Sequence, residues 1–161
     1  ISKSGAYVTP DSCSVLPSVT NMSLRDCAKD LGIKNLTDPE RGIEAGTKYM
    51  AKLREHFTDA ATPLDTLCFT LAAYNAGLGH VFDARKLAKQ QGLNPNVWFD
   101  HTEKALELLQ YRKYSKHAKY GYCRASETLP YVRDIMLQEL IYWEILEADR
   151  KRKAESEKNK K

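Results

Sequence analysis

The sequence contains no apolar run approaching the roughly 18 residues that a helix needs to cross a bilayer. Its opening residues, Ile1-Ser2-Lys3-Ser4-Gly5, lack the apolar core of a signal peptide. Such a chain is expected to be cytosolic, already processed, or a fragment of something longer. No segment shows the apolar–polar alternation of a strand, and there is no internal repeat. The four cysteines, Cys13, Cys27, Cys68 and Cys123, are too far apart in sequence for a Cys-x-x-Cys redox site or a zinc knuckle. His80, His101 and His117 share no helix face with an acid at ligand spacing, so no metal and no cofactor is expected. Carboxylates are missing from the first stretch altogether: no Asp or Glu precedes Asp11.

What is present suits one soluble domain. The chain has 161 residues, 42% of them hydrophobic and 29% charged, enough to enclose a core. The net charge of +4 sits mostly in the tail, from Arg150-Lys151-Arg152-Lys153 through Lys158, Lys160 and Lys161. Basic residues at a helix end complement its dipole, and no nucleic-acid-binding motif accompanies them, so no nucleic acid is expected. Asn21-Met22-Ser23 and Asn35-Leu36-Thr37 match the glycosylation sequon, a short pattern that also arises by accident.

Apolar spacing near 3.6 residues then predicts an all-α chain of about six helices. Ser23 caps a short helix through Leu24, Cys27, Ala28 and Leu31, which Gly32 ends. Thr37-Asp38-Pro39-Glu40 starts a second, with a cap, an early proline and an acid in the first turn. Its expected buried face is Ile43, Gly46, Tyr49, Met50, Leu53 and Phe57, with Gly46 admitting the backbone of a neighbouring helix. A third begins near Thr62-Pro63 and carries Leu64, Leu67, Cys68, Leu71 and Ala72 on its stripe. It closes on Tyr74-Asn75-Ala76-Gly77, where Gly77 supplies the left-handed residue and Asn75 is expected to tie down loose carbonyls. Val81, Ala84, Leu87 and Ala88 mark a fourth helix ended by Gly92. Trp98, Ala105, Leu108 and Leu109 mark a fifth.

Residues 111–122 interleave Tyr111, Tyr114, Tyr120 and Tyr122 with Arg112, Lys113, Lys116 and Lys119. Such a run is either a lid packed on the body or a groove wall whose rings stack on a ligand. The last helix opens around Ser126-Glu127-Thr128, which is compatible with Pro130 only if that residue lies in the first turn. Val132, Ile135, Met136, Leu140, Trp143 and Leu146 are its expected buried face, and it is expected to fray by Ala154.

Three motifs in order carry a resemblance. The stretch from Thr37-Asp38-Pro39-Glu40 to Ile43-Glu44-Ala45-Gly46-Thr47-Lys48-Tyr49-Met50 is the first. Ala72-Ala73-Tyr74-Asn75-Ala76-Gly77 and Glu127-Thr128-Leu129-Pro130-Tyr131-Val132 follow. Together they resemble the lytic transglycosylases, in order and in spacing, from about Ala28 to Val132. His80-Val81-Phe82-Asp83-Ala84-Arg85 and Lys119-Tyr120-Gly121-Tyr122 are similar, more narrowly, to the F type of the membrane-bound lytic murein transglycosylases. The resemblance implies a lysozyme-like all-α fold, a place in the bacterial envelope or periplasm, and peptidoglycan glycan strands as the partner. It also implies a single Glu that protonates the MurNAc–GlcNAc glycosidic oxygen and then takes a proton from the sugar's 6-hydroxyl, closing a 1,6-anhydro ring. Tyr74, Asn75, Glu127 and Tyr131 would line the groove, with Tyr120 and Tyr122 as further substrate contacts.

The family's acid belongs to a Glu-Ser-x-aromatic motif, followed by Gly-Leu-Met-Gln. Without gaps, Ser4-Gly5-Ala6-Tyr7 falls on the first and Val19-Thr20-Asn21-Met22 on the second. Ser4 then stands where the acid belongs, and a serine hydroxyl cannot serve as general acid near neutral pH. The expected organisation is an irregular segment over 1–22 holding the degenerate catalytic motif, a transglycosylase-like domain over 23–147, and a basic, frayed tail over 148–161. The favoured function is glycan engagement by a catalytically impaired domain. One alternative is an active enzyme with a relocated acid, Glu127 being the fallback, or with its Glu upstream of Ile1. The other is a non-enzymatic module whose basic last helix docks another envelope protein.

Overall fold

The computed structural model of the protein describes Ala28, Lys29, Gly32 and residues 38–158, without the side chains of 154 and 156–158. Ala28 and Lys29 are helical, but the rest of the helix expected from Ser23 lies outside the described residues, as do Ser4, Cys13 and Cys27. Among the described residues there are six α-helices and no strand. They are α1 (Pro39–Arg54), α2 (Pro63–Ala76), α3 (Leu78–Gln90), α4 (Glu103–Leu108), α5 (Arg112–Ser115) and α6 (Ala125–Lys158).

Helix α1 starts as its sequence directs: the Asp38 carboxylate accepts the Glu40 N–H at 3.0 Å, with Pro39 at the first helical position. Ala45, Tyr49 and Leu53 are buried, and a short 3₁₀ turn, Glu55–Phe57, continues that side to the fully enclosed Phe57. Ile43 does not join them. It is 71% exposed, because at 3.6 residues per turn it points about 120° away from Tyr49. The room left by Gly46 is taken by a side chain rather than a helix backbone: a Cβ there would lie 3.4 Å from the Tyr74 hydroxyl.

Helix α2 is the centre of the domain. Cys68, Phe69, Thr70, Leu71, Ala72 and Ala73 are buried in succession, the mark of a helix enclosed on every side. It packs on α1, α3 and α6. Leu64, expected on the buried stripe, lies in the first turn and is 46% exposed. That first turn is tied by a reciprocal pair: the Thr62 hydroxyl accepts the Asp65 N–H at 3.1 Å and donates to the Asp65 carboxylate at 2.6 Å. The other Asp65 oxygen accepts the Trp98 backbone N–H at 2.7 Å, holding the 98–102 turn against the helix start. Phe57, Phe69 and Trp98 then form one aromatic chain with centroids 5.4 and 5.6 Å apart. The Arg85 guanidinium lies over Phe69 at 5.2 Å and donates to Asp59 and to the Pro95 carbonyl.

A single residue, Gly77 at φ +100°, separates α2 from α3. Its N–H donates to the Ala73 carbonyl at 2.9 Å, so it ends one helix while opening the next. Cys68 and Cys123 are free, buried thiols, and burial pushes both up to about 12.

Helix α6 corrects several expectations. It begins at Ala125, one residue early, so Pro130 falls in the second turn. The bond its missing N–H forgoes is the one to Ser126, an exposed residue whose carbonyl water can satisfy. Val132 and Met136 are buried as expected, but Leu140, Trp143 and Leu146 are more than half exposed. None of the described residues covers them that far along the helix. It continues to Lys158, beyond Ala154.

Asp65→Ala removes the acceptor of the buried Trp98 N–H and half of the Thr62 cap. Urea unfolding is expected to show a loss of about 1–3 kcal/mol, with Asp65→Asn recovering part of it.

Candidate functional site

The last turn of α2 and the first two turns of α6 meet at one bond. Asn75 stays partly buried because Gly77 ends the helix just after it, leaving its carboxamide on the side facing α6. The Thr128 hydroxyl, only 1% exposed, donates to Asn75 Oδ1 at 2.8 Å. The expectation that Asn75 ties down carbonyls of its own helix is therefore replaced: its oxygen accepts from a residue 53 positions later. This bond joins the second and third sequence motifs in space.

Tyr74 and Tyr131 are both partly buried and pack against the core beside this pair. The Tyr74 ring lies 5.7 Å from that of Tyr49, which brings the first motif to the same place. Glu127 occupies the outer side of the first turn of α6. Its side chain is 66% exposed and reaches Arg124 at 3.5 Å. Proton donation to a glycosidic oxygen calls for a carboxyl in partly apolar surroundings, and Glu127 has none of these. Ser4 lies outside the described residues.

The aromatic–basic segment divides. Tyr114 packs against the core, while Tyr111 and Tyr122 are 56% and 57% exposed. Tyr120 is held in place by its backbone. Asp83, buried on α3, accepts the Lys119 N–H at 3.2 Å and the Tyr120 N–H at 2.6 Å. The Tyr120 ring then meets His80, in the first turn of α3, edge to face at 6.5 Å. No hydrogen bond or ring contact among the described residues ties Tyr122 to Asn75. A depression of about 600 Å³ lies between α3 and residues 109–118, edged by Lys86, Lys113, Lys116 and His117. Tyr74, Asn75, Glu127 and Tyr131 do not line it.

Sequence reasoning missed Asp83 and Thr128. For Asp83 a signal was available: it stands four residues before Leu87 and beside Ala84, so an acid interrupts an apolar stripe and must be paired. Thr128 stands in the third motif, but nothing local announces its partner 53 residues away.

Thr128→Val keeps the shape and deletes the donor to Asn75. Chemical denaturation is expected to show a loss of about 0.5–1.5 kcal/mol. His80 titrates below its ordinary value of 6.5 because burial opposes its charge, an effect that the nearby Asp83 only partly offsets. The unfolded chain therefore binds the extra proton first, and the stability held above pH about 6.5 is lost as pH falls below it. Thermal midpoints at pH 7.5 and pH 5 are expected to drop more for the native chain than for His80→Gln.

The sequence pattern of the transglycosylase SLT domain matches residues 17–97. Curated relatives are similar over a longer stretch. The membrane-bound lytic murein transglycosylase F of Shewanella halifaxensis is 48% identical over 108 residues, 67% of this chain and 22% of its own. Proteins of the same name from Pseudomonas fluorescens and Photobacterium profundum are both 42% identical. They share 114 and 108 residues with this chain, 23% and 21% of their own lengths. The chain thus spans between a fifth and a quarter of these relatives. An all-helical domain whose three motifs converge on Asn75 and Thr128 agrees with that match, and the chain belongs to the transglycosylase SLT domain family.

Proposed function

We propose that this domain engages the glycan strands of peptidoglycan in the bacterial envelope and does not cleave them. The observation that carries the reading is the Asn75–Thr128 bond. It places a carboxamide, whose two N–H donors that bond does not use, next along the chain from Tyr74, with Tyr131 three residues beyond Thr128. Donors next to ring faces suit a sugar, whose hydroxyls accept and whose C–H faces stack. The names of the relatives, lytic murein transglycosylases, supply the substrate class. The loss of cleavage follows from Ser4, which stands at the family's Glu position in ungapped register and can neither give nor take the proton.

Glu127 is a poor replacement acid, being exposed and beside Arg124. In this reading it contacts substrate at the groove's edge, as would Tyr120 and Tyr122 further along. Residues 1–22 hold the altered motif, 23–147 make up the glycan-engaging unit, and 148–161 form a basic extension.

Incubation with purified sacculi tests this directly. The native chain is expected to co-sediment with peptidoglycan yet release no 1,6-anhydromuropeptides by mass spectrometry. Asn75→Ala is expected to weaken co-sedimentation by up to about tenfold, the value of one or two hydrogen bonds. Anhydro products from the native chain would show an acid elsewhere, with Glu127→Gln the variant to try next. A native chain that stays in the supernatant would remove the glycan reading.

A further inference from the structure

The last helix has more apolar surface than the body covers. Its inner side is set by Ala125, Thr128, Val132 and Met136, all buried. From 137 onward almost every residue is exposed, yet residues 137–146 carry seven large apolar side chains between 48% and 65% exposed. Together they present several hundred Å² of apolar surface, the scale of one partner's share, about 800 Å², in a standard interface. A projecting helix draws little stability from propensity alone and needs its apolar side packed.

One line of these residues is ordered. Asp134, Leu137, Ile141, Ile145, Ala148 and Arg152 follow one another at intervals of three and four that average 3.6 residues, a straight stripe along one side of the helix. Ile141 lies nine residues after Val132, two and a half turns, so the seam faces away from the body. All of its large members stand exposed. Among the described residues, none stands in the way of a second helix there.

We propose that the occupant of this seam is a second copy of the chain, lying antiparallel about a two-fold axis at the level of residue 143. The seam is self-complementary in that arrangement alone. Ile141 meets Ile145 of the second copy, Leu137 falls within one residue's rise of its Ala148, and Asp134 at one end meets Arg152 at the other. A parallel pair would set Asp134 against Asp134 and Arg152 against Arg152. Arg152 is 73% exposed and pairs within its own helix with Asp149 at 2.8 Å, an exposed contact of a kind that holds little and can be shared. An anionic lipid surface fits less well, because Glu139, Glu144, Glu147 and Asp149 are spread through the same stretch. The seam is independent of the glycan reading.

Sedimentation equilibrium of the 161-residue chain, from micromolar to near-millimolar concentration, is expected to show a monomer–dimer equilibrium. Ile141→Asp combined with Ile145→Asp, both at exposed positions, is expected to leave the helical circular dichroism intact and abolish the dimer. Asp134→Arg and Arg152→Asp are each expected to weaken it about tenfold or more by placing like charges together. Their combination is expected to restore it, since the pair is then reversed across the axis. A monomer throughout the range overturns the proposal, as does a dimer indifferent to the isoleucine changes. A double charge reversal that fails to rescue overturns the antiparallel pairing, and binding to anionic vesicles without self-association would assign the surface to lipid.

Discussion

Helix α2 has no side that tolerates water over the six residues from Cys68 to Ala73. A helix of that kind cannot stand at a surface, so every neighbour is placed by the need to enclose it. Helix α1 covers one flank with Tyr49 and Leu53, α3 folds back directly after Gly77, and α6 lies along the remainder. The polar contacts then lock this enclosure at its two ends. Asp65 fastens the start of α2 to Trp98, and Asn75 fastens its end to Thr128. The candidate site is the second of these fastenings, so its geometry is inherited from the packing of the core rather than from a loop.

The sequence made the fold legible where periodicity and capping act locally. Asp38-Pro39, Thr62-Pro63 and Gly77 each mark a helix boundary that the structure repeats. Periodicity read less well at the edges of the body. Leu64, Leu140, Trp143 and Leu146 fit an apolar stripe, yet no neighbour among the described residues buries them. A stripe specifies which side of a helix can be buried, whereas burial also depends on how far the partner extends.

The site was legible in part for a related reason. Tyr74, Asn75, Glu127 and Tyr131 are conspicuous because polar and aromatic residues interrupt apolar helices. The contacts that position them come from Thr128 and Asp83, which act across long stretches of chain. Hydrogen bonds of that range leave no periodic trace. Both stand inside the quoted motifs, but only Asp83, an acid on an apolar face, signals locally that it needs a partner.

The two enclosed cysteines carry one more implication. The thiolate is the form of cysteine that attacks disulfides, peroxides and metals. With Cys68 and Cys123 held up to about 12 by burial, almost none of either is ionised at neutral pH. Both behave as small core residues and are shielded from oxidants by the same packing. The core that encloses these two thiols thus owes none of its stability to a bond between them.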